Sequence, residues 1–154
     1  MATAIAIKEL DGLKGKLIGT SKWMKISQKM INSFADCTED HQFIHVDEKR
    51  AKEEAPFGGI IAHGFLSLSL LTKLSSEISV KIKGTNLTLN YGFNKVRFVH
   101  PVKVNQKVRA KFILLDYAER SSDQWMLVYD IMLEIENEKK PALVAEWLTL
   151  QIVS

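Results

Sequence analysis

The stretch Gly64-Phe65-Leu66-Ser67-Leu68-Ser69-Leu70-Leu71-Thr72-Lys73-Leu74 decides the fold. Extended to Ile78, it places apolar side chains at Phe65, Leu66, Leu68, Leu70, Leu71, Leu74 and Ile78, interrupted before Lys73 only by Ser67, Ser69 and Thr72. Almost every face of such a helix suits burial, so it is expected at the centre of the fold rather than on its surface. After Gly84 the apolar period changes from 3.6 to 2. Val96 and Phe98 alternate with Lys95 and Arg97, and Val108, Ala110, Phe112 and Leu114 alternate with Lys107, Arg109, Lys111 and Ile113. Trp125, Leu127, Tyr129, Ile131, Leu133 and Ile135 line one face of a long strand, and Val144, Leu148, Leu150 and Ile152, with Glu146 as the exception, read as one face of the last. The turns Ser121-Ser122-Asp123 and Asn137-Glu138-Lys139-Lys140 are too short for a crossover helix, so these strands pair antiparallel. The expectation is an α+β fold, an antiparallel sheet wrapped around one buried helix. Five or six strands cover one side of that helix, so burial alone predicts a homodimer.

Upstream, Ser27 is a competent N-cap for a short helix in which Met30, Ile31, Phe34 and Ala35 share a face. From Asp36 to Val46 the order is polar and aperiodic, which predicts a loop. Asp47 then caps a charged helix to about Glu54, closed by Pro56. No repeat or linker divides the 154 residues, so residues 1–154 read as one domain that buries roughly 70% of its unfolded surface. A formal net charge of +3, with Lys and Arg scattered among acidic residues, gives no support for a nucleic-acid partner. Cys37 is the single cysteine, which excludes an internal disulfide and suits a reducing compartment. The apolar run Ala4-Ile5-Ala6-Ile7 is too short for a signal peptide, and nothing approaches 18 uninterrupted apolar residues. A cytoplasmic protein with no membrane partner is expected.

The segment Glu39-Asp40-His41-Gln42-Phe43-Ile44-His45-Val46-Asp47 concentrates carboxylates and imidazoles. Asp40 and His45 would be about 140° apart on a helix and as much as roughly 17 Å apart in an extended chain. They share one water only if the segment folds back, and then they form a pair able to move a proton in each direction. The residues equally admit a structural account, with Asp40 a turn or capping residue and His45 a satisfied, partly buried histidine. His41 and His45 have an i, i+4 spacing but lack the His-Glu-x-x-His pattern, and no metal is expected. Ala62-His63-Gly64-Phe65 opens the apolar helix, where N–H groups without an intrahelical acceptor can hold a developing oxyanion, and Gly64 leaves its N–H unshielded. Alternatively, Gly58, Gly59 and Gly64 only permit a tight turn.

Together, Phe34-Ala35-Asp36-Cys37-Thr38-Glu39-Asp40-His41-Gln42-Phe43-Ile44-His45-Val46-Asp47 and Pro56-Phe57-Gly58-Gly59-Ile60-Ile61-Ala62-His63-Gly64-Phe65-Leu66 resemble the MaoC-like dehydratases, relatives of the R-specific enoyl-CoA hydratases. Asn90-Tyr91-Gly92-Phe93-Asn94-Lys95-Val96-Arg97-Phe98 and Lys140-Pro141-Ala142-Leu143-Val144-Ala145-Glu146 resemble the nodulation-protein-N-like branch. The resemblance implies a hot-dog fold and a homodimer with acyl-thioester tunnels at or near the subunit interface. It further implies a lyase acting on acyl-CoA, or an acyl-carrier-protein thioester, in fatty acid metabolism, with no cofactor beyond the CoA of the substrate. Asp40 and His45 match the catalytic pair, Gly64 the donor to the thioester carbonyl, and Gln42 and His63 stand among the substrate-binding positions. The chain departs from the commoner Gly-Asp-x-Asn-Pro-x-His pattern at Glu39, Gln42 and Phe43. Two other functions fit the same pocket: a thioesterase, and a non-catalytic acyl-thioester-binding module. Lys95 and Arg97 are candidate phosphate contacts that also read as solvated strand residues.

Overall fold

The computed structural model describes residues 4–154; of the N-terminal segment, Met1–Thr3 lie outside the described residues. Strand β1 (Ala4–Ile5) is followed by two 3-10 turns, and then come β2 (Leu17–Thr20) and β3 (Met24–Lys25). Five helical segments follow: α1 (Gln28–Thr38), α2 (Phe43–Val46), α3 (Glu48–Glu54), α4 (Gly64–Ser69) and α5 (Leu71–Ser75). The chain closes with β4 (Lys81–Ile82) and four long strands, β5 (Thr85–Phe98), β6 (Lys107–Ser121), β7 (Gln124–Ile135) and β8 (Leu143–Val153). The main sheet has six strands in the order β2-β6-β7-β8-β5, with β3 also on β6; all its pairings are antiparallel. The α+β, hot-dog expectation holds.

The alternation read along β6 and β7 is the burial pattern observed. Val108, Ala110, Phe112 and Leu114 are fully buried, as are Leu127 and Leu133, with Tyr129, Ile131 and Ile135 nearly so. Phe112 stands edge-on to Tyr129 at 6.0 Å and packs against Trp147 at 6.2 Å. Leu66, Leu71 and Leu74 from the helices join the same cluster.

Three local readings are corrected. The apolar stretch from Gly64 to Ile78 forms two segments joined at Leu70, whose N–H still reaches the Leu66 carbonyl at 3.1 Å. Nor is it buried all round, because Phe65 is 67% exposed. The segment predicted as a loop is shorter: α1 runs on to Thr38, and Phe43–Val46 make one helical turn. Asp47 caps α3 as expected, its carboxylate accepting from the Arg50 N–H at 3.0 Å.

In β8 the buried face is Leu143, Ala145, Trp147, Thr149 and Gln151, opposite to the one read from apolar content. The misreading comes from Thr149 and Gln151, whose polarity suggests solvent. Gln151 is buried because its amide serves the backbone of the β4 region: Oε1 accepts from Ile82 N–H at 2.9 Å, and Nε2 donates to the Val80 carbonyl at 2.7 Å. Gln151→Leu would strand both groups in the core, and a buried unmade hydrogen bond costs about 1–3 kcal/mol. Urea unfolding is expected to show a loss of about 2–4 kcal/mol, whereas the exposed Asn86→Ala substitution stays within about 0.5 kcal/mol of the parent.

Candidate active site

The site is assembled on a short backbone ladder. Ala62 N–H donates to the Val102 carbonyl at 2.8 Å, Val104 N–H to Ile60 at 3.0 Å, and Ile61 bridges Lys103. Ile61 N–H also donates to the Ile44 carbonyl at 3.0 Å, tying the α2 turn to this ladder. The α2 turn is held from its other side by Gln28, whose Nε2 donates to the His45 carbonyl at 2.9 Å.

His45 is buried, and its Nδ1 lies 2.7 Å from the Ile61 carbonyl oxygen. A carbonyl only accepts, so Nδ1 carries the proton and Nε2 of the neutral ring keeps its lone pair. Burial, which disfavours the charged form, is the largest influence and lowers the His45 pKa below its ordinary 6.5; the Ile61 bond opposes this, neighbouring His63 adds to it, and Asp40 opposes it.

His63 stacks on His45 with ring centroids 3.7 Å apart and planes at 24°, and Phe34 packs against its other side at 5.0 Å. Its Nε2–H donates to the Asp40 backbone carbonyl at 3.0 Å, while the Asp40 carboxylate stands 4.0 Å away. His63 is therefore a strut, linking the Asp40 backbone to the ring of His45. One side-chain atom each of Asp40, His45 and His63 lie within 4.8 Å of one another, which is the folding back that a shared water requires. The Asp40 side chain itself is 54% exposed.

The same three groups have the composition of a metal site, although one nitrogen of each imidazole is already engaged by a backbone carbonyl, His45 Nδ1 by Ile61 and His63 Nε2 by Asp40. His41 is not part of the cluster; it pairs with Asp36 at 2.9 Å, a hydrogen bond that raises its pKa.

A cavity of about 360 Å³ opens beside His45. Gly64, Ser67, Phe98, His100, Pro101 and Ala142 are among the residues that line it. Gly64 sits at the start of α4, where a Cβ would come within 3.0–3.1 Å of the Phe98 ring. Gln42 is an exposed residue that does not line this cavity; it is the N-cap of α2, its N–H 3.4 Å from the Asp40 carboxylate. Lys95 and Arg97 are exposed on β5. Sequence reasoning did not single out the Ile61 carbonyl, Ser67 or His100. Ser67 carried no signal beyond interrupting an apolar run, and His100 only its position before Pro101 at a strand end.

Residues 12–131 match the MaoC like domain. The chain belongs to the MaoC-like dehydratase family. Nodulation protein N of Rhizobium meliloti is 47% identical over 95% of this chain and 91% of its own length. The 3-hydroxyacyl-thioester dehydratase Z of Mycobacterium tuberculosis is 42% identical over 95% of each chain. Among solved structures, a monoamine oxidase regulatory protein from Archaeoglobus superposes with a TM-score of 0.80 at 21% identity, covering 100% of this chain and 99% of that one. An (R)-hydratase from A. caviae gives 0.68 at 20%, covering 87% and 95%. These two likenesses establish the shared hot-dog architecture.

Within this MaoC-like dehydratase domain, Glu39 closes α1 in the left-handed conformation at φ 60°. A side chain there costs roughly 1–2 kcal/mol, and glycine is the usual helix-terminating residue. The strained residue immediately precedes Asp40 and sets the angle at which the loop leaves α1. Glu39→Gly should raise stability by about 0.5–1 kcal/mol, since relief of strain exceeds the added chain entropy of glycine. Differential scanning calorimetry would register this as a rise in Tm of roughly 1–4 °C; a lower Tm would contradict the strain assignment.

Proposed function

We propose that this MaoC-like dehydratase domain reversibly adds water across the 2,3 double bond of a trans-2-enoyl thioester to give the (3R)-3-hydroxyacyl thioester. The observation that carries the reading is the free Nε2 lone pair of His45, enforced by the Nδ1–Ile61 bond, in the cluster with the Asp40 carboxylate. Two hydrogen bonds of roughly 2.8 Å meeting at a bent water span roughly 4.5 Å, which suits side-chain atoms within 4.8 Å of one another. As its oxygen attacks C3, the pair takes one water proton and delivers a proton to C2; the second hydrogen stays on the new hydroxyl. The electron pair of the double bond moves through C2 toward the thioester oxygen, where the Gly64 N–H is the hydrogen-bond donor. The reaction is syn if both transfers come from this one pair. It runs on side chains and a backbone donor alone, with CoA or an acyl-carrier protein as the carrier. The names of two relatives, a 3-hydroxyacyl-thioester dehydratase and an (R)-hydratase, support the substrate class.

The same reading takes a homodimer as the working form. β5 is the terminal strand of the sheet and, among the described residues, pairs only with β8. Leu87, Leu89, Tyr91 and Phe93 stand exposed along it, an apolar edge of the kind that a second copy covers. Sedimentation at micromolar concentration should return twice the 17.5 kDa chain mass, and Leu87→Lys with Leu89→Lys should shift it toward one. A parent protein that sediments as a monomer would remove the dimer from the reading.

Mixed with crotonyl-CoA or longer enoyl-CoA substrates, the protein should bleach the conjugated thioester absorbance, and Asp40→Asn and His45→Ala should each lower kcat by about 10²–10⁴. Neutral His45 is the form that accepts a proton, so activity should fall as pH drops through its pKa. Because burial depresses that pKa, the acid limb is expected below pH 6.5. Release of free thiol without loss of the double bond would identify a thioesterase instead, and no turnover across chain lengths would leave a binding module.

A further inference from the structure

Most of the cavity wall is apolar, formed by Ile44, Phe57, Ile61, Ala62, Phe98, Val99, Pro101, Val102 and Ala142. Its polar side chains stand at different depths. His45 and Ser67 are buried, whereas His100 sits at the rim with 34% of its side chain exposed. His45 belongs to the reacting pair proposed above, but that chemistry gives His100 no task.

His100 is nonetheless held in place. Its backbone N–H donates to the Ala142 carbonyl at 3.3 Å, next to the bond from Val99 N–H to the same oxygen at 2.8 Å. Its Nε2 is 3.9 Å from the Glu138 carboxylate, and the other oxygen of Glu138 accepts from Gln106 Nε2 at 3.2 Å. At 3.9 Å the imidazole and carboxylate attract one another without forming a direct hydrogen bond, so the ring keeps donor capacity for an incoming group. Glu138 is followed by exposed Lys139 and Lys140 on the same turn. A ligand leaving the cavity past His100 thus meets a hydrogen-bond donor beside the turn that carries Lys139 and Lys140, which line a neighbouring second cavity.

An acyl chain has no use for that sequence of groups, but a phosphopantetheine arm does. It carries amides near the thioester and a phosphate at its far end, and charged phosphate is matched by Lys and by strong donors. We infer that His100, steadied by Glu138, is a specificity residue that grips the phosphopantetheine arm of the thioester at the cavity rim. The chemistry is shared by CoA and acyl-carrier-protein thioesters. The inference rests on the thioester reading above and assigns the side of the cavity from which the carrier enters.

The test compares crotonyl-CoA with crotonyl N-acetylcysteamine thioester, which has the same acyl group but lacks the phosphate and the distal amide, on the full-length protein. His100→Leu should raise KM for crotonyl-CoA about five- to tenfold, with kcat changed less than twofold, because one hydrogen bond is lost. The truncated thioester should be turned over equally well by parent and variant. His100→Gln, which keeps a donor near the same position, should recover most of the loss. Equal effects on both thioesters, or no effect on either, would overturn the assignment, as would a defect seen in kcat alone. If the parent hydrates neither thioester, it is the hydration reading that fails, and binding of the two thioesters by calorimetry then tests His100 in the same way.

Discussion

The hydrogen bond from His45 Nδ1 to the Ile61 carbonyl, 2.7 Å long and buried, works with the backbone bond from Ile61 N–H to Ile44 to join two parts of the chain that are distant in sequence. One part is the Asp36–Asp47 region, whose local structure comes from α1 and a single turn of helix. The other is Ile60–Ala62, fixed by its ladder to Val102–Val104 just beyond the end of β5. Through that ladder the position of an imidazole is referred to the long sheet, where β5 and β8 are paired from Thr85–Val153 to Phe98–Leu143. Buried carbonyls require donors, so the demand of Ile61 fixes both the orientation and the tautomer of His45. Losing this bond would strand a carbonyl and also leave the ring without the constraint that frees Nε2.

Several features around this bond break local rules. Glu39 takes a backbone conformation suited to glycine. His63 is buried with its Nδ1 unpartnered, although its Nε2 is used. His45 lies in surroundings that oppose its charge. Each costs stability; unpartnered polar atoms also occur in the core, at Tyr129, Trp147 and Thr149, but here an unpartnered histidine and a desolvated one stack on each other beside the loop that the left-handed Glu39 opens. Strain and unsatisfied groups gathered at one place are characteristic of sites selected for chemistry. The strut formed by His63 explains how the cost is tolerated: a stacked ring with Phe34 behind it replaces lost hydrogen bonding with packing, and still holds the Asp40 backbone.

Legibility in the sequence followed the physics of each element. β6 and β7 were readable because one face is packed on the core and their outward residues are mostly polar. β8 was not, because its buried face includes Thr149 and Gln151, and the reason for the burial of Gln151 is a set of backbone groups around Val80 and Ile82 about seventy residues away in sequence. No window along the chain contains both partners. The break at Leu70 was equally hidden, since a run of apolar residues specifies burial but not where a helix changes its hydrogen bonding. At the site, residue type and spacing made Asp40, His45 and Gly64 candidates beside a structural account, and the resemblance to the family's pair and carbonyl donor is what singled them out. The role of His63 required geometry, as a helix-opening histidine reads as a substrate contact until its ring is seen stacked against another. Gln42 shows the reverse: its amide matched a family position, while the exposed residue does not line the cavity.

Under the proposed hydration, Gly64 brings two requirements together at one position. A carbonyl can approach its N–H only if no side chain covers it, and the Phe98 ring can close the cavity wall only if there is no Cβ, because that atom would lie 3.0 Å from the ring. The first requirement is about the substrate and the second about the packed wall that excludes water from it. Phe98 is half exposed and could yield to a methyl group by turning outward, so the fold alone would tolerate alanine. Such a turn would open the cavity beside the N–H and admit water, whose high dielectric weakens the same hydrogen bond that a developing oxyanion needs. The glycine therefore matters less as a point of backbone freedom than as the place where substrate access and wall closure are satisfied by the same missing atom.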